Sequence, residues 1–300
     1  MILLREISVV IPVYNQAYPL SLTLYGFTRQ PPPFDRCRII VVDDGSSEPI
    51  EAVVEAYRDR LNIAYVRLPR KGRAAARNEG VRRLGEGIVV FCDADRIPRP
   101  GFLQAHYEAH SGAETRMAVG HVRELYVSEP ERNRELVLER IRAETHGRVP
   151  QFCRLVYGLF DADGDTAAAA AWVSTLSGNL SVPLELFRRL EGFDEHFHEW
   201  GFEHMEFGYR AHRQGCRFRY ATGAVNVHLA HPRSGTPYEA LIRQSHAYFY
   251  KKHPQPVIRQ FLGFMLGHTS LRQLEQTALA CEGSGRAASV PDGFVRITNF

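Results

Sequence analysis

A chain of 300 residues, 44% apolar and 24% charged, can bury the core of one large domain, or of a domain with an appendage. A formal charge of +3 with no block of Lys or Arg argues against a nucleic-acid-binding arm, while scattered arginines leave local anion binding open. No apolar run is long enough for a transmembrane segment, and five cysteines without a CxxC pair favour reduced thiols over disulfides or zinc. The expected location is cytoplasmic, or peripheral to the membrane.

ISVVIPV (7–13) is apolar and β-branched, as a strand buried on both faces should be. Residues 18–29 read as a helix stopped by prolines 31–33. CRIIVVDD (37–44) is a second strand, followed by a turn and a helix near 49–60. NIAYVRL (62–68), a helix rich in Ala and Arg over 72–84, and the strand GIVVFCD (87–93) complete the alternation. This order predicts an α/β fold with a parallel sheet and helices on both faces. From about 121 the pattern loosens. It gives a charged helix over 129–143, a loop entering an Ala-rich helix over 161–172 and a strand over 174–183. A short helix over 184–190, a helix over 202–214 and strands at 216–220 and 224–229 follow. After Pro232 the chain reads as helical to about 280, with a polar tail.

The stretch VVFCDADRIPRP (89–100) ends a buried strand with Asp93 and Asp95, which repel unless a positive partner stands beside them. A hard divalent cation is one such partner, and an Asx turn before Pro98 is the plainer reading. Asp43 and Asp44, before Gly-Ser-Ser, serve either as a turn or as acceptors for a base or ribose. PVYN (12–15), this Asp pair and the DAD triplet all fall at carboxyl ends of strands, where open α/β sheets bind ligands. RKGRAAARNEG (70–80) places four basic residues around a glycine at a helix start, which suits a diphosphate or a uracil edge. Neither GxxxxGK[ST] nor GxGxxG is present, so the P-loop and dehydrogenase readings lose their support. The glycine-rich basic loop of a nucleotidyltransferase is missing after the first strand as well.

These segments, with SGNLSVP (177–183), GFDEHFHEWGFEHMEFGYRAHRQGCRF (192–218) and VNVHLAHP (225–232), resemble the family 2 inverting nucleotide-sugar glycosyltransferases of GT-A fold. The order matches over about residues 7–232, and the later block is similar to chondroitin-polymerase and galactosyltransferase-like modules. The resemblance implies a Rossmann-like, mostly parallel central sheet flanked by helices over 1–232. Its nucleotide-binding half would be about 1–120 and its acceptor-binding half 121–232, with a helical C-terminal extension over 233–300. It implies that Pro12, Tyr14 and Asp44 bracket the base, with Asp43 beside them and Arg73 by the base or diphosphate. Asp93 would meet ribose, or the metal through water, and Asp95 would bind Mn²⁺ or Mg²⁺. A histidine completes the metal site in the family. His228, which closes the apolar VNVHL run, is preferred here to His231. Trp200 and Gly201 would line the sugar or acceptor pocket.

One position departs from the family. Where Glu-Asp is usual, with the Asp as general base, this chain has Glu203 and His204. Three readings stay open: His204 is the base, Glu203 is the base with His204 on the acceptor, or no protein base is used, as in retaining enzymes. An imidazole with a reference pKa of ~6.5 suits the first. Glu206 and Arg210 form an i,i+4 pair, Phe202, Met205 and Tyr209 share a core face, and His196 and His198 read as loop residues. The activity implied is metal-dependent transfer of a hexosyl or N-acetylhexosaminyl group from a UDP-sugar to an unknown glycan, peptide or small molecule, with inversion. A catalytically silent nucleotide-sugar-binding or scaffold protein, or a retaining enzyme, is the alternative. The C-terminal helices are open to covering the acceptor, forming a homodimer contact or docking on a partner.

Overall fold

The β-branched runs of the first half become four parallel strands, β1 (Ile7–Val13), β2 (Arg38–Asp43), β3 (Ile63–Arg67) and β4 (Ile88–Cys92). Alternate residues feed opposite cores: Val10, Ile40, Val89 and Phe91 enter one cluster, and Val9, Ile39, Ile88 and Val90 the other. Two buried faces are why these strands read as continuous apolar runs rather than alternating ones. The crossovers are α1 (Ala17–Phe27), α2 (Ile50–Glu55) and α3 (Arg73–Arg82). α3 lies close on β1 because Gly80 has no side chain; a Cβ there would stand 2.4 Å from Val10. This computed structural model describes residues 6–112, 114–144, 146–197, 201–230, 238–283 and 288–296.

The second half adds β5 (Arg96–Pro98), α4 (Phe102–Ala109), β6 (Arg116–Tyr126), α5 (Arg134–Ala143), α6 (Gln151–Tyr157), β7 (Asn179–Pro183) and α7 (Leu184–Arg189). It continues through α8 (Glu203–Arg213), β8 (Arg217–Ala230), α9 (Tyr238–Lys252), α10 (Pro256–Met265) and α11 (Leu271–Glu282). One sheet runs β3-β2-β1-β4-β7-β6-β8-β5. β7 is antiparallel to β4 and β6, β5 is antiparallel to β8, and β6 runs parallel to β8.

Several expectations need correction. The helix expected at 49–60 ends at Glu55. The alanines of 161–172 form no α-helix, only a 3-10 turn at Ala171–Ser174. Their backbone is recruited elsewhere: Glu275 of α11 accepts the amides of Ala169 and Ala170 at 3.0 and 2.8 Å, and this tertiary bond overrides helix propensity. The strand expected over 174–183 begins only at Asn179. The two strands expected over 216–229 are one strand, β8, whose register shifts opposite Gly120 and His121.

The C-terminal helices share the main core. Trp172, fully buried, has the rings of Phe261 and Phe249 with centroids 5.1 and 6.0 Å away. All five cysteines are free thiols. Among the described residues, no helix is long and apolar enough to cross a membrane.

Candidate active site

The loops after β1, β2 and β3 are bonded into one wall. Asn15, at φ 50°, accepts the Ser47 amide at 2.8 Å and donates its own amide to Ser46 Oγ at 2.9 Å. Asp43 accepts the Ser46 amide at 2.8 Å and the Tyr65 hydroxyl at 2.7 Å, and it is fully buried. It therefore shapes the loop rather than facing the cleft, and raises the Tyr65 phenol, already pushed up by burial, to about 12. Asp44 accepts the amides of Lys71 and Gly72 at 2.7 and 2.9 Å, tying the basic segment to the end of β2. Gly45, at φ 80°, permits this approach, since a Cβ there would lie 2.9 Å from the Arg70 amide. Above the wall the Arg70 guanidinium stacks 3.6 Å from the centre of the Tyr14 ring, which is 39% exposed. Pro12 is buried in β1 opposite Val42.

The partners of the DAD triplet are now visible. Asp93 accepts from Arg77 Nη2 at 2.7 Å, and Arg77 Nη1 donates to Glu203 Oε1 at 2.9 Å. Arg77 is 1% exposed, so a buried cation joins the end of β4 to the start of α8. Two carboxylates around it raise the Arg77 pKa against the lowering effect of burial, which keeps the guanidinium charged. Asp95 lies 3.5 Å from His228 Nε2, accepts from Gln16 Nε2 at 3.2 Å, and stands 3.7 Å from Arg96 Nε.

The other His228 nitrogen, Nδ1, is 3.6 Å from Glu124 Oε1. The nearby His228 is the chief reason the Glu124 carboxyl sits below its usual range. A carboxylate behind a histidine whose far nitrogen faces another carboxylate is how proteins orient metal ligands. Among the described residues, no group of three or more His, Cys, Asp or Glu could hold a metal alone. Asp95 and His228 nevertheless offer one carboxylate and one imidazole donor, a pair that would fit a divalent cation whose other ligands come from outside the chain.

α8 enters the site through two left-handed residues, Gly201 at φ 93° and Phe202 at φ 73°. For Phe202 this conformation is costly, and burial of its ring 5.0 Å from Phe261 of α10 holds it there. The turn brings Glu203 and His204 beside Arg77. Glu203 is 1% exposed and its Oε2 has no hydrogen bond. Burial alone would push its carboxyl up, but the charges of His204, Arg77 and Arg73 outweigh this and hold it well below the usual carboxylate range. His204 Nδ1, also without a hydrogen bond, lies 3.5 Å from Glu203 Oε1. Arg73 is exposed at the first position of α3, near enough to act on Glu203. Met205 and Tyr209 are core, and Glu206 pairs with Arg210 at 2.8 Å, as expected. His198, Trp200 and His231 lie outside the described residues.

Arg77, Arg96, Gln16 and Glu124 went unassigned from sequence. Arg77 sits one helical turn from Arg73 in the basic segment, and Arg96 directly follows the DAD triplet, so both had a signal. Glu124 had none, because β6 itself was unread.

The model of glycosyl transferase family 2 matches residues 8–170, more than half of the chain. That described as the N-terminal domain of galactosyltransferase matches residues 167–232. Validoxylamine A glucosyltransferase of Streptomyces hygroscopicus subsp. jinggangensis is 31% identical over 257 residues, covering 83% of this chain and 61% of that protein. Chondroitin synthase of Escherichia coli is 29% identical over 274 residues, covering 84% and 40%. The chain thus spans between two-fifths and about three-fifths of these relatives. Among solved structures, TarS of S. aureus superposes with a TM-score of 0.59 at 18% identity, over 88% of this chain and 71% of that one. The mannosyltransferase PcManGT of Pyrobaculum calidifontis, in complex with GDP-Man and Mn²⁺, gives 0.59 at 18% over 94% and 76%. These structural likenesses show the fold, which is GT-A. The family match shows more: this chain belongs to glycosyl transferase family 2.

Proposed function

We propose that this protein moves a sugar from a UDP-sugar to a hydroxyl or other nucleophile of a glycan, peptide or small molecule, with inversion and with dependence on a divalent cation. The observation that carries this reading is Arg77, which binds Asp93 at the donor end of the cleft and Glu203 beside the base position. One buried charge holds both ends in a fixed relation, as an in-line displacement needs.

Asp95 and His228 are the residues that would hold Mn²⁺ or Mg²⁺, which when bound supplies a Lewis acid to the departing diphosphate. His204 accepts the acceptor proton at Nε2 while Glu203 faces its Nδ1. The acceptor oxygen then bonds to the anomeric carbon as the bond to the diphosphate oxygen breaks on the opposite face, so configuration inverts. Glu203 is the weaker candidate for the base, because it is buried, ion-paired and held low in pKa. Tyr14 and the wall tied by Asp44 receive the nucleotide base, and the exposed Arg73 its phosphates. The reaction is placed in the cytoplasm, which suits five free thiols.

The test is a panel of nucleotide sugars with Mn²⁺, following nucleoside diphosphate release with and without EDTA. UDP- and GDP-sugars both belong in it, since solved structures of this fold include TarS with UDP-GlcNAc and PcManGT with GDP-Man. The expected result is EDTA-sensitive release of UDP from one sugar donor, with the product anomer inverted by NMR. If neither UDP nor GDP binds in the presence of Mn²⁺, the donor-site reading fails.

A further inference from the structure

Arg96 opens β5 one residue after Asp95, opposite His228 in antiparallel register. Its position suggests an ion pair, yet its Nε is 3.7 Å from Asp95 Oδ1, beyond hydrogen-bonding range. Nε is buried without a hydrogen bond, and the guanidinium makes none with any described residue. A guanidinium carries five N–H donors, and leaving them unmet in a partly dehydrated site is costly. Arg77, its counterpart beside Asp93, also leaves Nε without a hydrogen bond, but its Nη1 and Nη2 are each spent on a carboxylate, at 2.9 and 2.7 Å, whereas Arg96 has no such bond. The contrast marks Arg96 as a cation held in reserve for a ligand. Its side chain is still 22% exposed, so it can be reached from solvent.

Gly178 leaves the space it uses. A Cβ at that position would stand 2.6 Å from Asp93 Oδ2 and 3.2 Å from Arg96 Nε. Arg96 Nε thus lies beside Gly178 and 3.7 Å from the Asp95 carboxylate, with His228 across the strand pair. The Arg96 donors call for a ligand rich in oxygen acceptors, and an anionic one is admitted beside the two carboxylates once a cation on Asp95 offsets their charge.

We propose that Arg96 is a second, protein-borne cation for the diphosphate of the donor. The inference rests on the nucleotide-sugar reading and deepens it. As the bond from the anomeric carbon to the bridging oxygen breaks, its electron pair goes to the leaving diphosphate, and Arg96 N–H groups hydrogen-bond the growing charge without giving up a proton. Donor binding is then shared between a divalent cation on Asp95 and His228 and a fixed guanidinium, so a part of nucleotide affinity survives removal of the metal.

The experiment is calorimetric titration of UDP, inorganic diphosphate and uridine into the wild-type protein, Arg96→Met and Arg96→Lys, each in EDTA and in Mn²⁺. In EDTA the wild type should bind UDP, and Arg96→Met should weaken UDP and diphosphate by about tenfold or more while uridine binds as before. Arg96→Lys, a point charge without the planar fork, should recover part of that loss. Wild-type UDP affinity in Arg96→Met in EDTA would overturn the proposal. So would an equal loss for uridine, which would mean that Arg96 only keeps the shape of the site. Absence of UDP, GDP and diphosphate binding to the wild type, with or without Mn²⁺, would instead sink the donor-site reading, and this inference with it.

Discussion

At the scale of single residues, the site is a row of carboxylates each matched to a cation or histidine: Asp93 to Arg77, Asp95 to His228, Glu203 to Arg77 and His204. Two substitutions separate the roles. Asp95→Asn keeps the shape and the Gln16 contact but removes a negative ligand. Mn²⁺ affinity should fall by about tenfold or more, with turnover lost and the melting temperature little changed, as titration and thermal unfolding would report. Undiminished Mn²⁺-dependent turnover would remove the metal assignment. His204→Ala should lower kcat by roughly a hundredfold or more, the usual worth of a general base, while UDP affinity stays at the wild-type value. A loss under threefold would point to Glu203, or to a mechanism without a protein base. The pairs of Asp residues stood out in sequence because both follow buried β-branched runs, at the carboxyl ends of strands. The place of Arg77 was not, since its role depends on Glu203, 126 residues away.

At the scale of elements, α8 does two jobs. Its first turn sets Glu203 and His204 beside Arg77 and also carries Glu206, which accepts from Arg210 and His253 at 2.8 Å, with Lys252 at 3.0 Å. Burial would raise the Glu206 carboxyl, but the bonds from His253 and Arg210 outweigh it and leave it at about 2, against an ordinary 4.5. A carboxyl depressed in the folded state stabilises above its unfolded pKa and loses that contribution as pH falls through the folded one. Glu206→Gln should therefore cost on the order of 2–3 kcal/mol at pH 7, and the gap from wild type should close between about pH 5 and 2. Urea unfolding at both ends of that window checks it, and a gap independent of pH would refute the assignment. The i,i+4 pair was visible in sequence, but the contacts from α9 were not, because they join separate elements. β6 escaped for another reason: its polar positions break the apolar run, because His121 bonds to Tyr220, Arg123 to the Gly147 carbonyl, and Glu124 pairs with His228.

At the scale of the molecule, the first half was legible because parallel strands buried on both faces leave unmistakable apolar runs. The second half, with antiparallel joints and half-exposed strands, leaves weaker patterns. The C-terminal helices belong to the same body: Phe249, Val257, Ile258, Phe261, Phe264 and Leu274 are all in the main core cluster. Removing residues 256–300 should leave no cooperatively folded protein, as soluble yield and circular dichroism on heating would show. A truncated chain that still melted in one sharp transition would mean that those helices are an independent appendage. Their attachment bears on ancestry too. The two family models meet at residues 167–170, and the carboxylate of Glu275, from beyond either one, is bonded to Ala169 and Ala170 at that seam. A chimera that grafted a relative's second module at this join would carry over the suture but not the splint, so recombination between relatives should succeed only when the distal helix travels with the graft.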